Sequence, residues 1–481
     1  MSTERVLPPY WAVVLTASGA NFLAMLDSTV TMLAVPALQR NFPAASLPQL
    51  ALVIGAYAVL FAALLAPCGR LADTMGRKRV LLGGIGLFTV ASLLCAVAPT
   101  VPLLVAARAV QGVGAAVMVP ASLSVLLLDT PAQRRVMSIS LLSAAGAVAA
   151  ALGPSLGGLL VGAFTWHAVF LINIPIGVAL IVAGARVLTP APATSGLPDP
   201  LGTLLLVLGI SGLTVGITNA TSWGWAAGRT LGCLLGGAAC VLLAVRRSLR
   251  HPRPAVEFSL FRGNRVFTAA NLVALLYGCV MYTWLLVSVL FLTDVWGYTE
   301  LRAWLAQTPG AVVAAVAAVV MGKVMGRFGG PRFSAAVGMA AHALVPLILF
   351  VFLTRDRAFL EIWLPCSVLV GFGIGATMMA AMSAGAMSAP PTAFASVSAL
   401  NNTARQVGGA LGAAAVATIL QTGTVATGGT RSLSSYLDVY LFCLILTVIA
   451  IVVAIVGLKV SKPEENNGGQ VPGARPQHAV R

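Results

Sequence analysis

Gly69-Arg70-Leu71-Ala72-Asp73-Thr74-Met75-Gly76-Arg77-Lys78-Arg79 joins two long apolar runs that begin near Gln49 and Val80. Two glycines permit a tight turn, and three successive cations suit the anionic face of a membrane. A topology anchor would explain those cations. It would not explain an aspartate set four residues after one glycine and three before the next. Asp73 can pair with a cation or a helix N-terminus in one conformation and release it in another. We therefore read Gly69, Asp73, Gly76, Arg77, Lys78 and Arg79 as a conformational latch. The pattern returns at an offset of 253 residues as Gly322-Lys323-Val324-Met325-Gly326-Arg327-Phe328-Gly329-Gly330-Pro331-Arg332, with Gly326 where Asp73 stands.

Working outward, apolar runs predict fourteen helices, beginning near Trp11, Gln49, Val80, Val101, Val136, Trp166, Pro200, Thr230, Thr268, Arg302, Phe333, Glu361, Phe394 and Ser435. A membrane span needs about 20 mainly apolar residues. The repeat follows helix 2 and helix 10, so the economical architecture is two six-helix bundles with helices 7 and 8 inserted between them. Such duplication is common in transporters, whose substrate site lies between the halves. The expected units are residues 1–188 (first bundle), 189–265 (inserted helices and a basic segment), 266–458 (second bundle) and 459–481 (a polar tail). Gln421 to Leu433 is expected to be a polar loop. The fold class is thus an all-α integral membrane protein.

Composition supports this. The 481 residues are 59% hydrophobic and only 9% charged, against about 25% charged in a soluble protein. The chain holds 29 Lys and Arg against 13 Asp and Glu. Alternating the loops puts 21 of those cations on the side of the two termini and 6 on the other, with Arg108 and Arg405 inside helices. Cations stay cytoplasmic, so both termini are expected there, in a multi-pass cell membrane protein. Basic charge is accounted for by topology, and nucleic acid is not an expected partner. Seven cysteines fall in apolar runs without a C-x-x-C pair, as small buried residues rather than metal ligands.

Three motifs lie within spans. Asp27 is the only acid well inside a predicted helix. At 1.5 Å per residue it lies about 24 Å from the cytoplasmic end of helix 1, while Arg108 lies about 10 Å from the outer end of helix 4. In a core roughly 30 Å thick the two depths agree, so they can pair as a proton-coupling site. A charge inside a span is expensive and usually functional. Gln111 follows Arg108 in the run Arg108-Ala109-Val110-Gln111-Gly112-Val113-Gly114. In helix 5, Gly146, Gly153, Pro154, Gly157 and Gly158 allow close helix approach and a kink.

The helix 2–3 sequence resembles the signature of the major facilitator superfamily nearly in full. The Arg108 run resembles that superfamily's helix-4 signature, whose arginine is linked to proton transfer. The Gly153-Pro154-x-x-Gly157-Gly158 spacing resembles the signature of its antiporters, as opposed to symporters and uniporters. Trp166-x-x-x-Phe170-Leu171-Ile172-Asn173-Ile174-Pro175, Asn402-Thr403-x-Arg405-Gln406-Val407-Gly408-Gly409 and Trp223-Gly224-Trp225 are similar to patches of the fourteen-spanner drug:proton antiporters. Two positions depart from the pattern. Met32 stands where Asn is usual, and Trp166-His167-Ala168 replaces Trp-Arg-Trp.

The resemblance implies a secondary antiporter that admits protons and exports a small amphipathic or cationic compound, working as a monomer in the lipid bilayer. Gln111, Arg405 and Gln406 are candidates for the substrate path. No enzyme chemistry, cofactor or metal is expected, and no nucleotide-binding G-x-x-x-x-G-K-[ST] occurs. An uptake symporter or facilitator of the same fold, and a membrane sensor or enzyme, are the alternatives. Gly371-x-Gly373-x-Gly375 is read as helix packing and His342 as a lone polar residue. The Met378, Met379, Met382 and Phe372 cluster can line an apolar pocket or face lipid. Reporter fusions at Arg250 and in the tail are expected to score inside, and those at Gly224 and Thr427 outside. An outside score at Arg250 would break the inserted-pair reading.

Overall fold

The computed structural model describes residues 9–45, 47–190, 197–353, 356–426 and 433–459. Arg5, Arg355, Thr427, Arg431 and the tail lie outside the described residues, as do the side chains of Met32 and Pro154. We label the long helices α1 Tyr10–Val30, α2 Leu47–Met75, α3 Arg77–Ala96, α4 Val101–Leu128, α5 Arg135–Ala163, α6 Asn173–Val187 and α7 Pro200–Trp223. They continue as α8 Gly228–Ser248, α9 Arg265–Asp294, α10 Thr308–Val324, α11 Pro331–Phe352, α12 Leu364–Met387, α13 Phe394–Ala426 and α14 Leu433–Gly457. Short helical pieces precede α6, α10 and α12: His167–Leu171, Glu300–Leu305 and Phe359–Trp363. No strand occurs among the described residues.

Twelve helices among the described residues are long and apolar enough to cross a membrane. The fourteen expected spans thus meet that standard in twelve cases. α5 and α13 fall outside the set although they run 29 and 33 residues. Both are dense in Gly, Ala, Ser and other small or polar residues. One expectation is corrected: Gln421 to Ala426 is not loop but the last turns of α13.

The repeat has a structural counterpart. Gly69 of α2 is pressed on α13, where a Cβ would sit 2.8 Å from Ala395 O. Gly322 of α10 is pressed on Ser140 of α5. The two halves therefore meet along two equivalent seams, α2 on α13 and α5 on α10. At the same positions of the repeat Gly76 and Gly329 both have positive φ, 96° and 98°, a backbone state that glycine adopts because it has no Cβ to clash. At the Gly69–Arg79 end, Ala386, Phe394 and Ala395 of the second half join the first half's core.

The inserted pair packs face to face through Gly209 and Gly237, and α7 lies against α2 and α13. Leu204, Leu208, Leu235, Leu242 and Leu243 point outward, as lipid-facing side chains do. Arg247 of α8 holds Asp199 at the start of α7 through two hydrogen bonds, Nη2 to Oδ1 at 2.9 Å and Nε to Oδ2. Those bonds keep the Asp199 carboxyl below the usual carboxylate range.

The Gly371-x-Gly373-x-Gly375 run is the packing device expected of it. Gly371 and Gly375 abut the Gly310 and Ala314 carbonyls of α10, and a Cβ on Gly373 would lie 2.8 Å from Gly338 O of α11. Two neighbours are thus served by alternate glycines of one helix. Gly371→Val should lower the melting temperature of the detergent-purified protein, at a cost of about 1–3 kcal/mol from overpacking. An unchanged melt would show that α10 and α12 separate freely at this point.

Candidate functional site

The site forms where α1, α3, α4 and α6 converge. Asp27 closes the last full turn of α1 before a four-residue 3₁₀ stretch, Thr31–Ala34. Its Oδ2 accepts from Arg108 Nη1 at 2.5 Å. Its Oδ1 accepts from Gln111 Nε2 at 2.8 Å and from Asn173 Nδ2 at 2.7 Å. Gln111 is fixed in turn by Arg108 Nη1, which donates to its Oε1 at 2.7 Å, and by Ser92 Oγ, which accepts from its Nε2 at 2.8 Å. Arg108 Nε donates to Val53 O at 3.0 Å. The guanidinium carbon stands 4.4 Å from the Tyr57 ring centroid and 5.7 Å from that of Phe170.

Asp27, Arg108, Gln111, Ser92 and Asn173 are all buried. An ionised carboxylate is acceptor-only, and each of these contacts to Asp27 comes from a donor. The expected match of depth is realised as a direct ion pair. Among the described residues Arg108 Nη2 and Asn173 Oδ1 have no hydrogen-bond partner, so the cluster keeps one donor and one acceptor unspent.

Helix 5 packs beside this cluster. A Cβ on Gly146 would lie 2.9 Å from Asn21 Nδ2, and one on Gly157 would lie 2.7 Å from Val30 O. Gly153 is pressed on Thr29. The glycines thus seat α5 on the turns of α1 that flank Asp27. Gly158 lies next along the helix and is half-buried.

The Gly69–Arg79 joint is also assembled. Asp73 Oδ1 accepts from Ala395 N at 3.1 Å, and Oδ2 accepts from Ser396 N at 2.8 Å and Ser396 Oγ at 2.7 Å. These amides open α13, so the carboxylate caps a helix N-terminus of the other half. Arg77 lies 4.0 Å from Asp73 and donates through Nη2 to Pro391 O at 3.1 Å. Lys78 Nζ donates to the Ala185 and Leu188 carbonyls at 2.7 Å, at the end of α6. Arg70 pairs with Glu257 at 2.6 Å, which ties α2 to the segment after the inserted helices.

Arg405 and Gln406 are not part of the Asp27 cluster. Arg405 Nη2 donates to Asn402 Oδ1 at 2.6 Å, and Gln406 Oε1 accepts from Tyr282 OH at 2.6 Å. The methionines do not face lipid. Met379 and Phe372 pack at the α5–α10 seam with Val136 and Ala144, and Met382 packs against the first half's core. His342 is buried with Tyr277 OH 3.3 Å from Nδ1. Asn173 and Ser92 were absent from the sequence-based site. The signal for Asn173 was an amide in the apolar run Phe170 to Ile176. Ser92 gave none, since a serine in a helix is ordinarily bonded to its own backbone, as Ser92 also is to Phe88 O.

A family model described as the Major Facilitator Superfamily matches residues 17–413. The methylenomycin A resistance protein of Streptomyces coelicolor is 32% identical over 412 residues, 85% of each chain. The cephamycin export protein of Amycolatopsis lactamdurans is 32% identical over 444 residues, 90% of this chain and 89% of that one. The tetracenomycin C resistance and export protein of Streptomyces glaucescens is 31% identical over 417 residues, 85% and 76% of the two chains. A crystal structure of the human organic anion transporter MFSD10 (TETRAN) superposes with a TM-score of 0.64 over 92% of this chain and all of that one. At 16% identity that likeness is one of fold alone.

Asp73→Asn should leave insertion intact and slow exchange measured in proteoliposomes. The turn survives, while the charge that caps α13 is lost. Normal exchange rates would leave the joint as a topology anchor only.

Proposed function

We propose that this chain, which belongs to the Major Facilitator Superfamily, is a proton-coupled exporter of small molecules, a secondary antiporter without enzyme chemistry. The observation that carries the reading is the buried Asp27 carboxylate held by Arg108, Gln111 and Asn173. An antiporter needs a group that alternates between protonated and charged forms. Asp27 is met by donors on both oxygens. Protonation would put an O–H where a donor now points and would force one contact to open. Opening beside the glycine seam of α5 would couple the proton to the packing of α1 on α5. The export direction is supported by relatives named for antibiotic resistance and export.

The finer architecture belongs to the same proposal. α5 and α13 complete fourteen spans. α5 packs on α1 and α10, and α13 on α2, α4 and α9, while both keep exposed apolar side chains such as Leu152, Leu159 and Leu411 that suit lipid. Residues 1–188 and 266–458 form the two bundles, with 189–265 between them and 459–481 as the tail. The excess of cations supports a cytoplasmic position for the Gly69–Arg79 end and both termini in a bacterial cell, and in this reading the protein works as a monomer. In that orientation the described state is closed on the cytoplasmic side. Asp73 is the latch, released when the first half rotates away from α13. The second copy of the repeat carries Gly326 in its place, so only one seam is charge-locked.

The test is flux in proteoliposomes under an imposed pH gradient, using an amphipathic compound that the unaltered protein exports. Asp27→Asn keeps size and hydrogen-bonding capacity but cannot ionise. It should abolish concentrative export and leave substrate binding. Arg108→Ala should impair transport and stability by about 3–5 kcal/mol, the cost of leaving a buried charge unpaired. Concentration of substrate by the Asp27→Asn protein would place the proton site elsewhere and return the uptake or uniport alternatives.

A further inference from the structure

Arg405 differs from the other buried arginine of the bundles. It lies on α13 about 16 Å from the first residue of the helix, which puts it deep in a core roughly 30 Å thick. It is 9% exposed. Its guanidinium donates through Nη2 to Asn402 Oδ1 and through Nη1 to the Met378 thioether at 3.8 Å. Neither partner carries charge. Arg70, Arg77, Arg108 and Arg247 each have a carboxylate within 4.0 Å. Among the described residues no carboxylate lies at that distance from Arg405.

A lone cation at mid-membrane depth is costly, and it persists where it faces a water path or a ligand of opposite charge. The surroundings favour an organic ligand. Gln406 and Tyr282, hydrogen-bonded to each other, supply an amide and a phenol ring one residue along the helix. Met378 and Met382 supply adaptable apolar surface, and Met382 reaches the first half's core, so this cluster lies toward the interface between the halves. The acid of the first half is unsuited to receive a cation, because Asp27 is already engaged by three donors.

We propose that Arg405 is the anion-recognising group of the substrate path, and that the exported compounds are amphipathic organic acids whose carboxylate pairs with its guanidinium. The planar guanidinium matches a carboxylate bidentately, while the ring system of the ligand packs on Tyr282 and the methionines. This rests on the exporter reading and narrows its cargo from amphipathic or cationic compounds to acids.

The probes are a panel of aryl carboxylates such as 2-naphthoate, each paired with its neutral amide and with a trimethylammonium analogue of the same ring. Binding to the purified full-length protein is followed by quenching of its tryptophan fluorescence, without any gradient. At least one carboxylate should bind about ten- to a hundredfold tighter than its amide, the worth of a charge-assisted hydrogen bond. Arg405→Gln should bring that carboxylate to the level of its amide and leave the amide unchanged. Arg405→Lys should keep only part of the preference, and it decides the matter if the Gln variant does not fold. The proposal is overturned if no carboxylate binds better than its amide, including no binding at all, or if the ammonium analogues bind tightest. It is equally overturned if the folded variants retain the full preference. Asp27→Asn should keep the carboxylate preference while losing gradient-driven export, so failure of anion recognition and failure of proton coupling are read separately.

Discussion

A carboxylate placed in the interior of a membrane protein persists only when a cation and further donors replace the water it has lost. Asp27 is compensated in this way, and the first half is arranged around it. α4 supplies Arg108 and Gln111, α6 supplies Asn173, and α3 supplies the Ser92 hydroxyl that steadies both amides. Tyr57 of α2 lies over the guanidinium and donates its own hydroxyl to Ala24 O of α1 at 3.0 Å. Five helices are therefore held to one buried charge.

Close helix approach follows from small residues on α4. Gly112 lies against Tyr57 O of α2, and Gly114 lies 2.7 Å from Phe88 N of α3 when given a Cβ. A larger side chain at either position would push α4 away and draw Arg108 off Asp27. The glycines of α5 serve the same end from the other side of α1. Packing in a bilayer gains little from apolar burial and depends on such close contact. The charge network and the glycine faces are thus one construction.

The two halves share a plan but not a chemistry. Gly69 on α13 and Gly322 on α5 make matching seams, while Asp73 caps a helix of the opposite half and Gly326 cannot. The first half balances its buried arginine internally with Asp27. The second half leaves Arg405 with neutral partners and builds its core from aromatic rings, with Phe291 and Trp363 stacked at 5.8 Å. The glycine joints recur in both copies of the motif, while the acid stands in the first copy alone.

The sequence by itself determined where the helices are. Predicted starts fall within three residues of the observed ones, except where the short helices His167–Leu171 and Glu300–Leu305 precede α6 and α10. An apolar run of membrane length is a local property, and so is a glycine joint between two such runs. The depths of Asp27 and Arg108 were legible for the same reason, because rise per residue converts position into height. Tertiary structure alone decided azimuth and partnership: which face of α6 turns Asn173 toward Asp27, that Ser92 bridges two amides, that Asp73 reaches α13, and that Arg405 meets no acid among the described residues. Those contacts join residues 19 to 323 positions apart. They depend on how helices rotate and cross, and one sequence read alone carries no record of that.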